Sequence, residues 1–178
     1  MRVLVTGPSL KDQGGVAGYY NALLPFLKHE GIAVSYLEIG GTHAAGGILS
    51  PLVDQLRFRS ALRRFRPHLV HINPSFNLKS FLRGGFFIRG ACRVRAGLPV
   101  LVFFRGWRQG FEHAAETRYR TFFTRTYGKA AAVIVLGRAI EQKLRAWGVT
   151  APIHVEHTVV AEELLAGFSL SERLRGFV

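Results

Sequence analysis

Acidic residues are missing from a long central stretch of this chain. Residues 55–111 contain no Asp or Glu, whereas 12 of the chain's 24 Lys and Arg residues lie there. The formal net charge of +13 is therefore concentrated in one basic block. Such a block indicates either an anionic partner or a solvated surface of high charge, and nucleic acid, acidic lipid headgroups and phosphate-bearing substrates are the candidate partners.

Cysteine and long hydrophobic runs are also scarce. The single cysteine, Cys92, excludes an internal disulfide and a cysteine metal site, and indicates a packed thiol in a reducing compartment. No apolar run approaches the ~20 residues that a transmembrane helix requires. Met1 leads directly into a predicted strand, without the apolar core of a signal peptide. We therefore expect a cytoplasmic protein, which could lie peripherally at the inner face of the membrane.

The specific nucleotide and metal fingerprints are absent as well. Neither G-x-G-x-x-G nor the P-loop with its Lys-Ser/Thr occurs, and no Asp-x-Asp motif suggests a divalent cation. We therefore expect neither a metal nor a cofactor.

A strand, a glycine-bearing loop and a helix open the chain. Residues 2–6 have the composition of a buried strand, and apolar residues recur at helical spacing from Gly15 onward. Gly14 and Gly15 stand at the helix start, where free amides and the lack of a Cβ favour an approaching phosphate. A Gly-Gly pair that serves only the turn explains the same residues, so both interpretations stay open.

Strands and helices then alternate. Further strands are predicted over residues 32–39, 69–73, 99–104, 130–136 and 153–156, and further helices over residues 51–66, 78–96 and 137–147. This alternation predicts an α/β fold, a Rossmann-like doubly wound parallel sheet, in one domain over residues 1–160. For the second helix, the spacing predicts a buried stripe made of Leu52, Leu56, Leu62 and Phe65.

Polar residues follow the predicted third strand. In an open parallel sheet, ligands bind beyond the carboxyl ends of the strands, which makes Asn73, Ser75 and Asn77 candidate ligand contacts. A turn closed by Asn and Ser side chains fits them equally well.

The third predicted helix carries a basic arc. At about 100° per residue, Lys79, Arg83, Arg89 and Arg93 fall on one side of this helix, together with Phe86. A basic arc that contains an aromatic residue is typical of a membrane-surface or anion-binding helix. A solvated helix face with one partly buried Phe is the simpler interpretation.

Five segments, in the right order, resemble the N-terminal half of a GT-B glycosyltransferase of family 4. They are GGVAGYYNALLPFLKHEGIAV, RPHLVHIN, GLPVLVFFRGW, AAAVIVLGRAIEQKLRAWGV and IHVEHTVVAEEL. The resemblance implies a Rossmann-like acceptor-side domain, with the active site in the cleft toward a second domain that binds the donor. Because no segment here supplies that second domain, we expect the chain alone to be inactive and residues 161–178 to be the start of the interdomain crossover or a disordered tail.

The resemblance also assigns roles to individual residues. It implies that Gly14 and Gly15 lie against the donor diphosphate and that Arg105 and Gly106 occupy the place of the family's His-Gly pair. Arg105 could then hold a phosphate as a catalytic residue, or it could instead pair with Glu112. Arg108, together with the residues after the third strand, would face the acceptor.

The function implied is a retaining glycosyltransferase. It would transfer a sugar from a nucleotide-sugar donor to a cell-envelope glycan or lipid acceptor. The alternative is a non-catalytic Rossmann-like module that binds nucleic acid through the basic block, although no DNA- or RNA-binding motif accompanies the charge.

Overall fold

A six-stranded parallel sheet forms the centre of the protein. The computed structural model describes residues 1–40 and 50–157. The strands are β1 (Arg2–Gly7), β2 (Ala33–Glu38), β3 (Leu69–Ile72), β4 (Ser75–Phe76), β5 (Val100–Phe104), β6 (Gly106–Trp107), β7 (Ala132–Val135) and β8 (Ile153–Val155). The main sheet has the order β2-β1-β3-β5-β7-β8, and the two-residue strands β4 and β6 pair with each other. The predicted crossover or tail, residues 161–178, lies outside the described residues.

Helices follow the strands of the main sheet. They are α1 (Gly15–His29), α2 (Ser50–Phe65), α3 (Leu78–Val94), α4 (Gln109–Thr117), α5 (Arg120–Thr126) and α6 (Arg138–Ala146), with a 3₁₀ turn at Tyr127–Lys129. The predicted Rossmann-like α/β sheet is therefore confirmed. Helices α4 and α5 were not predicted, because Phe111 is the one large apolar residue of α4 and the two of α5, Phe122 and Phe123, are adjacent, so neither helix shows apolar residues at helical spacing.

The sheet is covered on both faces. Val3 and Val5 pack under α1 with Tyr20, while Leu4, on the opposite side of β1, belongs to the larger core. This alternation is expected of a strand whose successive side chains point to opposite faces. The larger core is rich in aromatic rings, among them Phe76, Phe81, Phe104, Phe123 and Tyr127.

The predicted buried stripe of α2 is wrong in part. Leu52 and Leu56 are 59% and 58% exposed. The buried stripe instead runs through Asp54, Phe58 and Leu62, at intervals of four residues. Asp54 is buried because its carboxylate accepts hydrogen bonds from the Gly40 amide and from a guanidinium of α3. Because the charged Asp54 occupies the buried face of α2, apolar spacing in the sequence predicted the wrong face for Leu52 and Leu56.

The strand order places a switch point between β1 and β3. From β1 the chain passes to β2 on one side and returns to β3 on the other. All strands of the main sheet pair in parallel, so β1, β3 and β5 end at the same edge. In open α/β sheets, a crevice at such a point receives the ligand.

Candidate active site at the switch point

The N-terminus of α1 lies at the carboxyl edge of the sheet, where the switch point is. Gly14, the N-cap residue, has extended backbone angles and no side-chain cap. A Cβ added at Gly14 or Gly15 would meet no atom within 4 Å. Neither the backbone conformation nor internal packing therefore requires glycine here, and a side chain added at the start of α1 would enter open space.

Asn73, directly after β3, ties this strand to β1 and α1. Its Nδ2 donates to the Thr6 carbonyl at 2.9 Å and to Tyr20 Oη at 2.8 Å. Tyr20 Oη also lies 3.0 Å from Asn73 Oδ1 and 3.2 Å from His71 Nδ1. Because one hydroxyl carries one proton, Tyr20 donates to only one of these two acceptors at a time.

Arg105, directly after β5, completes the cluster. Its Nε donates to Asn73 Oδ1 at 3.2 Å. Its guanidinium carbon lies 3.5 Å from the Tyr19 ring centroid and 3.9 Å from that of Phe103. Such contacts between a cation and ring faces hold the planar group in one orientation.

The pairing of Arg105 with Glu112, one of the two alternatives for this residue, is not formed. Glu112 instead accepts hydrogen bonds from Trp107 Nε1 and Lys143 Nζ. Arg105 is half-buried, and its Nη2 has no hydrogen-bond partner within the described residues. Nη2 is itself shielded from solvent, so the candidate feature for an anionic ligand is the positive charge of the half-buried guanidinium and not this atom.

Burial sets the protonation states around Arg105. Desolvation, with a smaller effect from the Arg105 charge, lowers the pKa of His71 to about 3. Burial likewise raises the pKa of Tyr20 well above its usual value. Both groups are therefore neutral at pH 7, and the positive charge of the cluster resides on the guanidinium.

The structure divides the residues predicted for acceptor binding. Asn73 joins Arg105, whereas Asn77 Oδ1 accepts from the Ser80 amide and caps α3. Ser75 pairs with Gly106 in the small sheet, so the turn interpretation describes Ser75 and Asn77. Arg108 is exposed at the start of α4, without a side-chain cap.

Only some residues of the predicted basic arc of α3 are exposed in the structure. Lys79, Arg89 and Arg93 are exposed, and Phe86 is 48% exposed. The Arg83 side chain is only 19% exposed and pairs with Asp54 at 3.5 Å. Arg83 therefore belongs to the interface between α2 and α3 and not to the exposed arc.

Sequence reasoning did not identify Tyr19, Tyr20 or His71 as part of the site. The two tyrosines occur at core-periodic positions of α1, where aromatic residues ordinarily pack. His71 could have indicated the site from the sequence, because an imidazole within a buried apolar strand needs a hydrogen-bond partner.

Residues 1–40 and 50–157 contain neither a candidate membrane-spanning helix nor a candidate metal cluster. No helix there combines the length and apolar character that crossing a bilayer requires. That part of the chain also contains no group of three or more His, Cys, Asp or Glu residues suited to hold a metal ion.

Comparison with known families identifies this domain. The family model of the glycosyl transferase 4-like domain matches residues 2–157. The chain belongs to this family. The predicted relationship to an N-terminal glycosyltransferase domain is thereby confirmed, and the Rossmann-like sheet is consistent with the N-terminal half of a GT-B fold.

Other comparisons add little to this assignment. No curated protein matches the chain. Among solved structures, it is similar to a LacI family transcriptional regulator from Silicibacter pomeroyi, at 14% identity and a TM-score of 0.38. That alignment covers 85% of this chain and 77% of the regulator, and so low a score carries no functional argument.

Proposed function

We propose that the chain is the acceptor-side domain of a retaining glycosyltransferase, which uses a nucleotide sugar and modifies a cell-envelope glycan or lipid. The observation that carries the proposal is the pairing of two anion-binding features at the switch point. These are the open, glycine-lined start of α1 and the oriented guanidinium of Arg105. The family assignment supports a transferase in general.

The leaving group of such a reaction is a nucleoside diphosphate. Free amides and the dipole at the start of α1 stabilise negative charge on its phosphates. Arg105 adds a permanent positive charge. Because Asn73 and Tyr19 hold the guanidinium in place, it needs no reorganisation as the charge develops.

Calorimetric titration of the chain with UDP and GDP tests this proposal. We expect the wild-type chain to bind one of them and Gly14→Val to weaken binding about tenfold or more, because the branched side chain would occupy the phosphate position. Arg105→Ala should weaken binding by a similar factor through the loss of a charged hydrogen bond.

Gly137→Val is the matched control for Gly14→Val. Gly137 is also an extended N-cap residue, at the start of α6, and an added Cβ there would meet nothing within 4 Å. It follows β7, which is separated from β1 by two strands. Equal weakening by both substitutions, or no binding of either nucleotide, would contradict a diphosphate site at the start of α1.

The exposed part of the α3 arc supports an acidic membrane surface as a second contact. Phe86 lies there among Lys79, Arg89 and Arg93. We propose that this face approaches anionic lipid. Vesicle sedimentation should then show salt-sensitive binding to anionic but not to neutral vesicles, weakened by Phe86→Ser.

A further inference from the structure

A groove runs between the C-terminal halves of α2 and α3. One part, of about 480 Å³, is lined by Arg59, Arg63, Gly90, Arg93 and Val94. The groove continues into a part of about 350 Å³, which is lined by Leu62, Arg63, Arg66, Pro67, Val94, Arg95 and Leu98. Arg63 and Val94 line both parts, so the two form one continuous depression.

Five arginines line this groove. They are Arg59, Arg63, Arg66, Arg93 and Arg95. Within residues 1–40 and 50–157, no carboxylate forms an ion pair with any of them. The concentration of positive charge is therefore uncompensated by the described part of the protein.

The neighbouring arginines of the same two helices are arranged differently. Arg83 pairs with Asp54, and Arg57 donates from Nη1 to the Glu38 carbonyl at 3.1 Å. These two guanidiniums serve the packing of the domain itself. The arginines of the groove have no such role in the described structure.

The backbone at Arg66 is a second sign that the groove is built for a ligand. Arg66 follows the last residue of α2 and has a φ of 48°, in the left-handed region. Glycine is the usual residue at this position after a helix, because a Cβ is unfavourable there. A strained residue with its side chain at a cleft points to a function for that side chain.

We propose that this groove binds a ligand through two or more phosphate groups. A guanidinium matches the oxygens of a phosphate with two parallel hydrogen bonds, and several of them surround the groove. The described lining contains no aromatic ring on which a base could stack, which disfavours single-stranded nucleic acid.

The groove is separate from the switch-point site. Arg66 and Arg95 precede β3 and β5, so they lie at the amino edge of the sheet. Gly14 and Arg105 lie at the carboxyl edge. The phosphate groove therefore does not rest on the proposed transferase function, and either site can be lost without the other.

Calorimetry with inorganic tripolyphosphate tests the groove. We expect the wild-type chain to bind it and Arg63→Gln combined with Arg66→Gly to weaken binding by about tenfold or more. The matched control, Arg125→Gln combined with Arg138→Gln, removes the same charge from exposed positions outside the groove. It should change binding by less than about twofold. Circular dichroism melts would show that each variant is folded.

A second arm distinguishes the source of the phosphate. Vesicles of phosphatidylcholine with and without phosphatidate are sedimented with the same variants. Loss of both vesicle and tripolyphosphate binding in the groove variant supports a lipid phosphate, and loss of tripolyphosphate binding alone supports a soluble ligand. The proposal is overturned if the wild type binds neither probe, or if groove and control variants weaken binding equally.

Discussion

The arginines at the two edges of the sheet differ in how neighbouring residues hold their side chains. At the carboxyl edge, a single guanidinium is held by Asn73 and by the rings of Tyr19 and Phe103. At the amino edge, five arginines line an open groove, and none of them has an ion-pair partner among the described residues. Arg83, between α2 and α3, resembles Arg105 because a neighbouring residue, Asp54, holds its guanidinium.

This difference shows that the density of positive charge along the sequence does not indicate the role of an individual arginine in the structure. All of these arginines come from one acid-free block, residues 55–111. An arginine fixed by neighbours presents a defined geometry, which suits a reacting phosphate. Arginines without such neighbours attract anions with less geometric demand, which suits a docking site.

The largest effect should come from removing the partner of a held arginine. Asp54→Ala would leave the Arg83 guanidinium largely buried without its carboxylate, and we expect a loss of about 3 kcal/mol in the free energy of unfolding. Urea denaturation measures it. Asp12→Ala, at an exposed aspartate, is the control and should cost less than about 0.5 kcal/mol. Similar losses for both variants would show that Arg83 is not held in this way.

A smaller effect per pH unit should appear in the pH dependence of stability near Arg105. Burial lowers the pKa of His71 to about 3 in the folded protein, against about 6.5 in an unfolded chain. Between these values the unfolded state binds the additional proton, so protonation favours unfolding. The contribution of His71 is fully present above pH 6.5 and is lost as the pH falls toward 3, by at most ~1.4 kcal/mol per pH unit.

The variant His71→Gln isolates this contribution. Glutamine does not titrate, so the difference in unfolding free energy between wild type and variant should narrow steadily as the pH falls from 6.5. Urea denaturation at several pH values gives both curves. Parallel curves would mean that His71 is protonated in the folded protein or accessible to water.

The fold was largely predictable because its signals are periodic and local. The six strands of the main sheet and α1, α2, α3 and α6 were predicted from apolar spacing, glycine and proline. The strands β4 and β6 were missed, since a two-residue ladder carries no pattern of its own. Leu52 and Leu56 were misplaced because Asp54 occupies the buried face of α2.

The site was predictable only where topology determines it. Asn73 and Arg105 directly follow β3 and β5, and Gly14 ends the loop that leads from β1 to α1, so a parallel sheet brings them to one edge. The contacts of Tyr19 and Tyr20 with Arg105 depend on the orientation of α1 over the sheet, which sequence spacing does not give. The groove depends on two helices packing side by side, so no single segment could indicate it.

Replacing the strained arginine of the groove should increase stability. Arg66→Gly removes the Cβ from a left-handed position, and we expect a gain of about 1 kcal/mol in the free energy of unfolding. Thermal and urea denaturation measure it. Arg95→Gly, at a helix end with a negative φ, is the control and should not stabilise the protein. A loss of stability in Arg66→Gly would mean that its guanidinium has a structural partner.

The smallest effect should come from an arginine that lines both parts of the groove. Arg63 is exposed, and within the described residues no carboxylate pairs with it, so Arg63→Gln should change the free energy of unfolding by less than about 0.5 kcal/mol. The same substitution at Arg83 removes a partly buried ion pair and should cost several times more. Urea denaturation measures both variants, and so compares the same substitution at an exposed arginine and at a partly buried one. If both substitutions lower the free energy of unfolding by the same amount, Arg63 has structural contacts as stabilising as those of Arg83. The distinction between the groove arginines and the held arginines would then be wrong.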